Sequence, residues 1–124
     1  MPSRIVIVED ESLVGLDLQE TLERAGYEIV TVIDSADALL AVFQKEKPDL
    51  ILMDIRLRSY LDGIDAVQRL RLFSDVPVIY ITASTTPGVR QRAETTSPDA
   101  ILSKPVPPET LLETVRKALG ESRS

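Results

Sequence analysis

The sequence predicts an α/β fold in which one five-stranded parallel sheet is doubly wound, with helices on both of its faces. Five short apolar runs alternate along the chain with five stretches of helical periodicity. The third run, residues 50–53, is apolar throughout, as expected for a central parallel strand that is covered on both sides. Strict alternation of this kind calls for right-handed crossover connections, which distribute the helices over the two faces of one sheet.

The strands are predicted from runs that are rich in β-branched and aliphatic residues. They cover residues 5–8, 28–32, 49–53, 76–81 and 100–102. Each run has the length that is usual for a strand in a globular protein. The five strands therefore leave four connections and a C-terminal segment in which helices are expected.

The first two helices follow the first two strands. Val14 and Leu18 begin a series of apolar residues at helical spacing, and Gly26 ends that helix. Asp34 or Ser35 can cap the second helix, because short polar side chains accept hydrogen bonds from the first free N–H groups. These helices supply the connections on either side of the second strand.

The remaining helices are less uniform in composition. The third begins after Gly63, and the fifth opens at Pro107 or Pro108, since proline is favoured in the first turn of a helix. The fourth, over residues 86–96, is polar and short of apolar anchors, so we expect it to be mobile or ordered by a partner.

Length and composition indicate one domain without a cofactor that needs sulfur or imidazole. The chain has 124 residues, of which 44% are hydrophobic, and we expect a single domain over 1–124 with a frayed tail at 120–124. The net charge of −6 argues against contact with nucleic acid. The absence of cysteine suits a reducing compartment such as the cytoplasm, and no apolar run approaches the ~18 residues that a membrane span requires.

Chemically active side chains stand where the predicted strands end. They are Glu9, Asp10, Asp54, Thr82 and Lys104. Because the carboxyl ends of parallel strands share one edge of the sheet, we expect these groups to meet there. Three acids, a hydroxyl and an amine are the layout of a site that holds a divalent cation and accepts a phosphoryl group on a carboxylate.

The crowded acids themselves favour a bound cation, because neighbouring carboxylates resist joint ionisation. Oxygen ligands without histidine or cysteine suit Mg²⁺, with Mn²⁺ or Ca²⁺ as substitutes. Each residue also has an ordinary structural reading. The acids after the first strand can interact favourably with the positive N-terminal end of the first helix, and Asp54 can cap a turn. Thr82 can simply be a strand-forming residue, and Lys104 can be a lysine exposed to solvent.

The combined motifs resemble the receiver domain of two-component response regulators. The matching stretches are residues 5–11 (IVIVEDE), 51–57 (ILMDIRL), 62–63 (DG), 79–84 (IYITAS) and 102–105 (LSKP). The resemblance covers essentially the whole chain, in the same order. It implies a flavodoxin-like (βα)5 fold with strand order 2-1-3-4-5.

The resemblance also implies a role for each site residue. Asp54 would be the phosphoacceptor, and Thr82 and Lys104 would grip the phosphoryl oxygens. The metal ligands would be Asp10 directly, Glu9 through water, Asp54, and the backbone carbonyl of Arg56. The peptide between Lys104 and Pro105 would be cis.

By the same resemblance, the phosphoryl group would come from a sensor histidine kinase or a histidine phosphotransfer protein. The chain would catalyse only its own phosphorylation and slow dephosphorylation, and would then change its contacts with a downstream protein or a second copy. Thr82 and the residue at position 101 would form the switch, and Arg56 and Ser84 would tune the lifetime. The residue at 101 is isoleucine where the family usually has Tyr or Phe, so the usual ring rotation is in doubt.

Two alternatives stay open at this point. One is a pseudo-receiver, which would bind partners without being phosphorylated. The other is a phosphatase of the haloacid dehalogenase type, which needs a second Asp two residues after the nucleophile, where this chain has Arg56. The sequence does not show whether the domain acts alone or belongs to a larger protein, and Tyr60 is an unexpected aromatic residue near the site.

Overall fold

The computed structural model describes residues 2–57, 62–83 and 86–121. Strands and helices alternate in the predicted order. They are β1 (Arg4–Val8), α1 (Ser12–Arg24), β2 (Glu28–Ile33), a 3₁₀ turn (Ala36–Ala38), α2 (Leu39–Glu46), β3 (Leu50–Asp54), α3 (Gly63–Leu70), β4 (Val78–Thr82), α4 (Pro87–Glu94), β5 (Ala100–Ser103) and α5 (Pro108–Ala118).

All five strands lie in one parallel sheet with the order β2-β1-β3-β4-β5. This confirms the predicted doubly wound, flavodoxin-like α/β fold. The chain order changes direction at β1 and β3, so the carboxyl ends of these two neighbours flank the crevice where ligands bind in such sheets.

The core has two layers, one on each face of the sheet. Alternate residues of the central strands point to opposite faces. Val6, Ile51 and Tyr80 pack with α2, α3 and α4, whereas Ile7 and Leu52 pack with α1 and α5. Residues of β3 and β4 are buried throughout, which explains why the sequence shows continuous apolar runs there.

Strand and helix boundaries differ from the sequence prediction where one residue has a special property. β4 begins at Val78 instead of residue 76, because Pro77 has no N–H for the ladder and only its carbonyl is used, by the N–H of Ile51 at 3.0 Å. Ser35 precedes the 3₁₀ turn without a side-chain cap, so α2 itself starts only at Leu39.

The first N–H groups of a helix have no partner within the helix, and α3 and α4 differ in how these groups are accommodated. Asp62 caps α3 by accepting from the N–H of Asp65 at 2.8 Å, and the side chain of Asp65 accepts from the N–H of Asp62. Pro87 is the first residue of α4, where the missing N–H has no cost. The predicted weak helix is thus formed, over 87–94.

The end of the chain is partly held by side-chain contacts. The carboxylate of Glu121 accepts a hydrogen bond from the hydroxyl of Tyr27 at 2.8 Å, and its N–H donates to the carbonyl of Arg116. The predicted frayed tail, 120–124, therefore begins with residues that the structure places, while 122–124 lie outside the described residues. Within the described part of the chain, no helix has both the length and the apolar character needed to cross a membrane.

Candidate functional site

The strand ends bring the predicted site residues to one edge of the sheet. In the register of the ladders, Asp54 lies opposite Ile81 and Thr82 lies opposite Ser103. Lys104 follows directly after β5, and Glu9 follows directly after β1. The parallel arrangement, rather than proximity in sequence, gathers these groups.

Three carboxyl groups form the acidic part of the site. Glu9, Asp10 and Asp54 each offer an oxygen, and these oxygens lie within 4.8 Å of one another. Glu9 and Asp54 are both buried, with 4% of their surface exposed, and Asp10 is half-buried. A hard divalent cation fits this donor set, because Mg²⁺ binds through one or two carboxylates and keeps water on its other positions.

Lys104 is the cationic counterpart of this cluster. Its Nζ lies 2.8 Å from Oε1 of Glu9 and 3.3 Å from Oδ2 of Asp54, and only 15% of its side chain is exposed. Its backbone N–H donates to the carbonyl of Thr82 at 2.9 Å, and its peptide bond to Pro105 is cis. One residue therefore connects the ends of β1, β3, β4 and β5.

The pKa values of Asp54 and Lys104 reflect their burial and the charges close to them. Burial, followed by the hydrogen bond and the repulsion from Glu9, raises the pKa of Asp54 to about 7, although Lys104 opposes the shift. Burial lowers the pKa of Lys104, but the hydrogen bond to Glu9 and the charges of Asp54 and Glu9 outweigh it, so that the pKa is raised overall. Lys104 is therefore a firmly charged ammonium.

The chain after Asp54 is packed closely against α3. The N–H of Arg56 donates to Oδ1 of Asp54 at 3.1 Å, and the N–H of Gly63 donates to the carbonyl of Ile55 at 2.9 Å. A Cβ atom at position 63 would lie 2.3 Å from the carbonyl oxygen of Asp54 and 2.8 Å from Cγ of Met53. Position 63 therefore has no space for a side chain, and its close approach fixes the backbone of Asp54.

The two predicted switch residues lie near each other in the sheet but differ in environment. Thr82 is fully buried at the end of β4. Ile101 is half-buried, packs against the core and lies opposite Tyr80, whose hydroxyl is 2.7 Å from Oγ1 of Thr96. The lifetime candidate Arg56 is exposed. The other lifetime candidate, Ser84, and the aromatic residue Tyr60 lie outside the described residues.

Sequence reasoning missed one charged contact at the site. Oε1 of Glu11 lies 3.6 Å from Nζ of Lys104, and 60% of the Glu11 side chain is exposed. The run of three acids at 9–11 is a visible signal, but in the sequence the third acid indicates only a favourable charge at the start of α1. The structure shows that it also faces the ammonium.

Comparison with known proteins shows the family. The model of the response regulator receiver domain matches residues 5–116, so the chain belongs to this family. Such domains are modules of two-component signalling rather than enzymes with a separate substrate, and they bind Mg²⁺ through an acidic pocket of the kind formed by Glu9, Asp10 and Asp54. The chain is therefore a two-component receiver, and the pseudo-receiver alternative is not favoured over it.

Individual relatives agree with this assignment. The chain is 32% identical over 123 residues to the transcriptional regulatory protein PdtaR of Mycobacterium tuberculosis, covering 99% of this chain and 60% of the relative. It is 31% identical over 125 residues to the polar-differentiation response regulator DivK of Brucella anthropi, covering 98% of this chain and 100% of the relative. The chain thus spans about three fifths of the length of PdtaR but all of DivK.

Among solved structures, a similar one is the signal receiver domain of a modulated diguanylate cyclase from Desulfovibrio desulfuricans G20. The TM-score is 0.90 at 32% sequence identity, and the match covers 97% of this chain and 95% of that chain. Receiver domains as a family interact with histidine kinases or phosphotransfer proteins and with downstream effectors.

Proposed function

We propose that Asp54 accepts a phosphoryl group and that the chain signals through the acyl phosphate formed. The observation that carries this proposal is the ammonium of Lys104, 3.3 Å from the Asp54 carboxylate and 2.8 Å from that of Glu9, beside carboxyl oxygens gathered within 4.8 Å. A nucleophilic carboxylate, a cation-binding group and a fixed positive charge are the parts that phosphoryl transfer needs.

The metal site in this proposal consists of Glu9, Asp10, Asp54 and the backbone carbonyl of Arg56. A bound Mg²⁺, or Mn²⁺ or Ca²⁺ in its place, would neutralise charge on the phosphoryl oxygens. Of these residues, Asp54 and Arg56 are already linked by a hydrogen bond at 3.1 Å, which sets the backbone next to the acceptor.

In the reaction, an oxygen of Asp54 attacks phosphorus as the bond between phosphorus and the donor nitrogen breaks. The electron pair of that bond leaves with the imidazole of the donor histidine. Lys104 then ion-pairs with the phosphoryl oxygens, and the hydroxyl of Thr82 donates to one of them. The chain thereby catalyses its own modification, and attack by water on the acyl phosphate later ends the signal.

The donor would be a histidine kinase or a histidine phosphotransfer protein that docks beside the site. Leu13 and Leu16 of α1 are exposed, with 82% and 50% of their surface accessible. A groove of about 470 Å³ is lined by Leu13, Lys104 and Pro105 among others, so a largely apolar surface leads from Leu13 to the ammonium. Exposed apolar side chains beside a charged centre suit a protein donor.

The output would be a change of contacts with a downstream protein or a second copy of the chain. The new charge would draw Thr82 inward and reposition α4, β5 and α5. Ile101 would then pack into the space left by Thr82, where other members of the family place an aromatic ring. Arg56 and Ser84 would set how long the acyl phosphate lasts. We place this signalling in the cytoplasm, without nucleic acid or membrane contact by this chain.

The test is phosphorylation by a small donor. Incubation with acetyl phosphate and Mg²⁺ should add one phosphoryl group by intact mass, and Asp54→Asn should abolish the gain. Asp75→Asn is the matched control, because Asp75 is exposed and precedes β4 at the opposite edge of the sheet. Its labelling should equal that of the parent chain.

Other outcomes would favour one of the two alternative functions. No gain of mass in the folded parent chain with Mg²⁺ would count against the proposal and return the pseudo-receiver alternative. Repeated turnover of a general phosphate ester would support the haloacid dehalogenase alternative, although the position two residues after Asp54 is Arg56 and offers no acid.

A further inference from the structure

The ammonium of Lys104 is shared by three carboxylates that differ in their access to solvent. Glu9 and Asp54 are 2.8 Å and 3.3 Å away and are buried, with side chains 1% and 5% exposed. Glu11 is 3.6 Å away, and its side chain is 60% exposed. The third carboxylate therefore stands on the outer side of the ammonium, where a ligand must arrive.

The position of Glu11 is fixed by its backbone. Its N–H donates to Oε2 of Glu9 at 3.1 Å, and its carbonyl accepts from the N–H of Gly15 at 2.9 Å in the first turn of α1. Its side chain makes no capping hydrogen bond to the helix. The carboxylate is thus held at the entrance by the main chain, while no cap keeps it away from Lys104.

From this geometry we propose that Glu11 determines donor specificity by repelling small, doubly negative phosphoryl donors such as acyl phosphates. This inference rests on the proposed phosphorylation of Asp54. A like charge at an open entrance lowers the local concentration of an anion and competes with its oxygens for the ammonium. A protein donor gains contacts elsewhere, for example at Leu13, and so depends less on the charge at this point.

The chemistry of the step is the same for each small donor and differs only in the bond that breaks. With acetyl phosphate, the bond from Asp54 oxygen to phosphorus forms as the bridging P–O bond breaks, and acetate leaves with the electron pair. With phosphoramidate, the P–N bond breaks and its protonated nitrogen leaves as ammonia. Acetyl phosphate carries two negative charges at neutral pH and phosphoramidate carries one, so repulsion by Glu11 acts more strongly on the first.

The experiment compares rates of phosphoryl gain at saturating Mg²⁺ by intact mass. Glu11→Gln should accelerate the reaction with acetyl phosphate by about 3–10-fold at low ionic strength. This rate ratio should fall towards unity at about 0.5 M salt, where the screening length is only a few Å. The gain with phosphoramidate should be smaller. Glu11→Lys should accelerate the reaction with acetyl phosphate further than Glu11→Gln.

Glu20→Gln is the matched control, since Glu20 is an exposed acid of the same helix, more than two turns beyond Glu11. It should leave both rates within about 1.5-fold of the parent chain, because a distant surface charge is screened. A gain in Glu11→Gln that does not change with salt, or that is equal for the two donors, would overturn the assignment of Glu11.

The outcomes separate this inference from the proposed function. If parent and Glu11→Gln chains gain a phosphoryl group at Asp54 at equal rates, the proposed function stands and the role of Glu11 is wrong. A slower Glu11→Gln chain would likewise refute it. If the folded parent chain gains none, the proposed function fails and this inference fails with it.

Discussion

At the scale of single residues, Gly63 is the most tightly surrounded glycine of the chain and lies against Asp54. Gly63→Ala would place a methyl group 2.3 Å from the Asp54 carbonyl oxygen, and backbone cannot move aside as a flexible side chain can. We expect the free energy of unfolding to fall by about 1–3 kcal/mol, the usual cost of overpacking, as measured by urea denaturation.

Gly88→Ala is the matched control for that substitution. A Cβ at position 88 would meet no atom within 4 Å, and the residue lies in the first turn of α4. It should leave stability unchanged or raise it by up to about 1 kcal/mol, because alanine favours a helix over glycine. Equal losses in the two variants would mean that space at position 63 is not the cause.

The raised pKa of Asp54 has a consequence for the metal-free protein. Since the folded protein holds this proton more strongly than the unfolded chain, the stability that Asp54 contributes is lost as pH rises from about 4 to its pKa of about 7. Asp54→Asn should therefore be more stable than the parent chain in chelator, by about 1–3 kcal/mol more at pH 8 than at pH 5. An advantage that shrinks as pH rises would contradict this cause.

Most of the site could be predicted because its residues occupy strand ends, and a parallel sheet converts that position in sequence into proximity. Glu9, Asp54 and Lys104 lie in contact as expected. The contact of Glu11 with Lys104 and the packing of Gly63 were not predictable in this way. They depend on the reach of the Glu11 side chain and on the close approach of position 63 to the backbone of Asp54, and hydrophobic periodicity reports neither.

At the scale of elements, α4 is joined to α3 by ion pairs rather than by a large apolar face. Ala93 is its buried residue, while Nη1 and Nη2 of Arg92 lie 3.2 Å and 3.3 Å from carboxylate oxygens of Asp62 and Asp65. These two acids also cap α3, whose first residue, Gly63, lies against the backbone of Asp54. Ion pairs thus connect α4 to the end of α3 that is close to Asp54.

Arg92→Ala should loosen α4 without unfolding the domain. Exposed ion pairs contribute about 0.2–1 kcal/mol each, so we expect amide exchange within α4 to accelerate by about 2–10-fold, with little change in α1. Exchange measured by mass spectrometry of peptides from α4 provides the test.

Arg90→Ala is the control, because Arg90 forms its ion pair within α4, with Glu94 at 3.3 Å. It should change exchange by less than Arg92→Ala. The same acceleration in both variants would show that helix propensity, and not the connection to α3, governs the mobility of α4.

Element boundaries could be predicted to within a few residues, and the errors have local causes. Pro77 shortens β4 at its start, and Ser35 introduces a 3₁₀ turn instead of the first turn of α2. The fourth helix begins at Pro87 instead of residue 86, because proline is favoured at the first position of a helix. In each case a single residue, not the hydrophobic pattern, decides the boundary.

At the scale of the whole molecule, we propose that the chain unfolds as one domain. Both faces of a continuous sheet are covered, and the two core layers share the same central strands. Urea transitions followed by circular dichroism and by tyrosine fluorescence should therefore coincide. Separate transitions for the two probes would argue for more than one unit.

Mg²⁺ should stabilise this single transition by mass action. At a concentration 100 times its dissociation constant, a ligand that binds only the folded state adds about 2.7 kcal/mol. The gain should be largely lost in Asp54→Asn, which removes one of the three clustered carboxylates, and kept in Asp75→Asn. Equal gains in both variants would place the ion elsewhere.

The fold as a whole was the most predictable level, because strict alternation and buried central runs leave few topologies. What a list of elements does not convey is how Lys104 binds several strand ends at once, through its backbone to Thr82 and through its ammonium to Glu9 and Asp54. That arrangement depends on the register of β4 and β5, which only the three-dimensional structure supplies.

The ion pairs of Lys104 in the unphosphorylated protein affect how easily a free anion can bind there. A free anion that enters the site must compete with the three ion pairs that this ammonium makes with Glu9, Asp54 and Glu11, and it forms no covalent bond. A phosphoryl group bonded to Asp54, as we propose, would already be held by its covalent bond and would only have to attract the ammonium. We therefore expect free phosphate and other salts to affect this domain far less than covalent modification does.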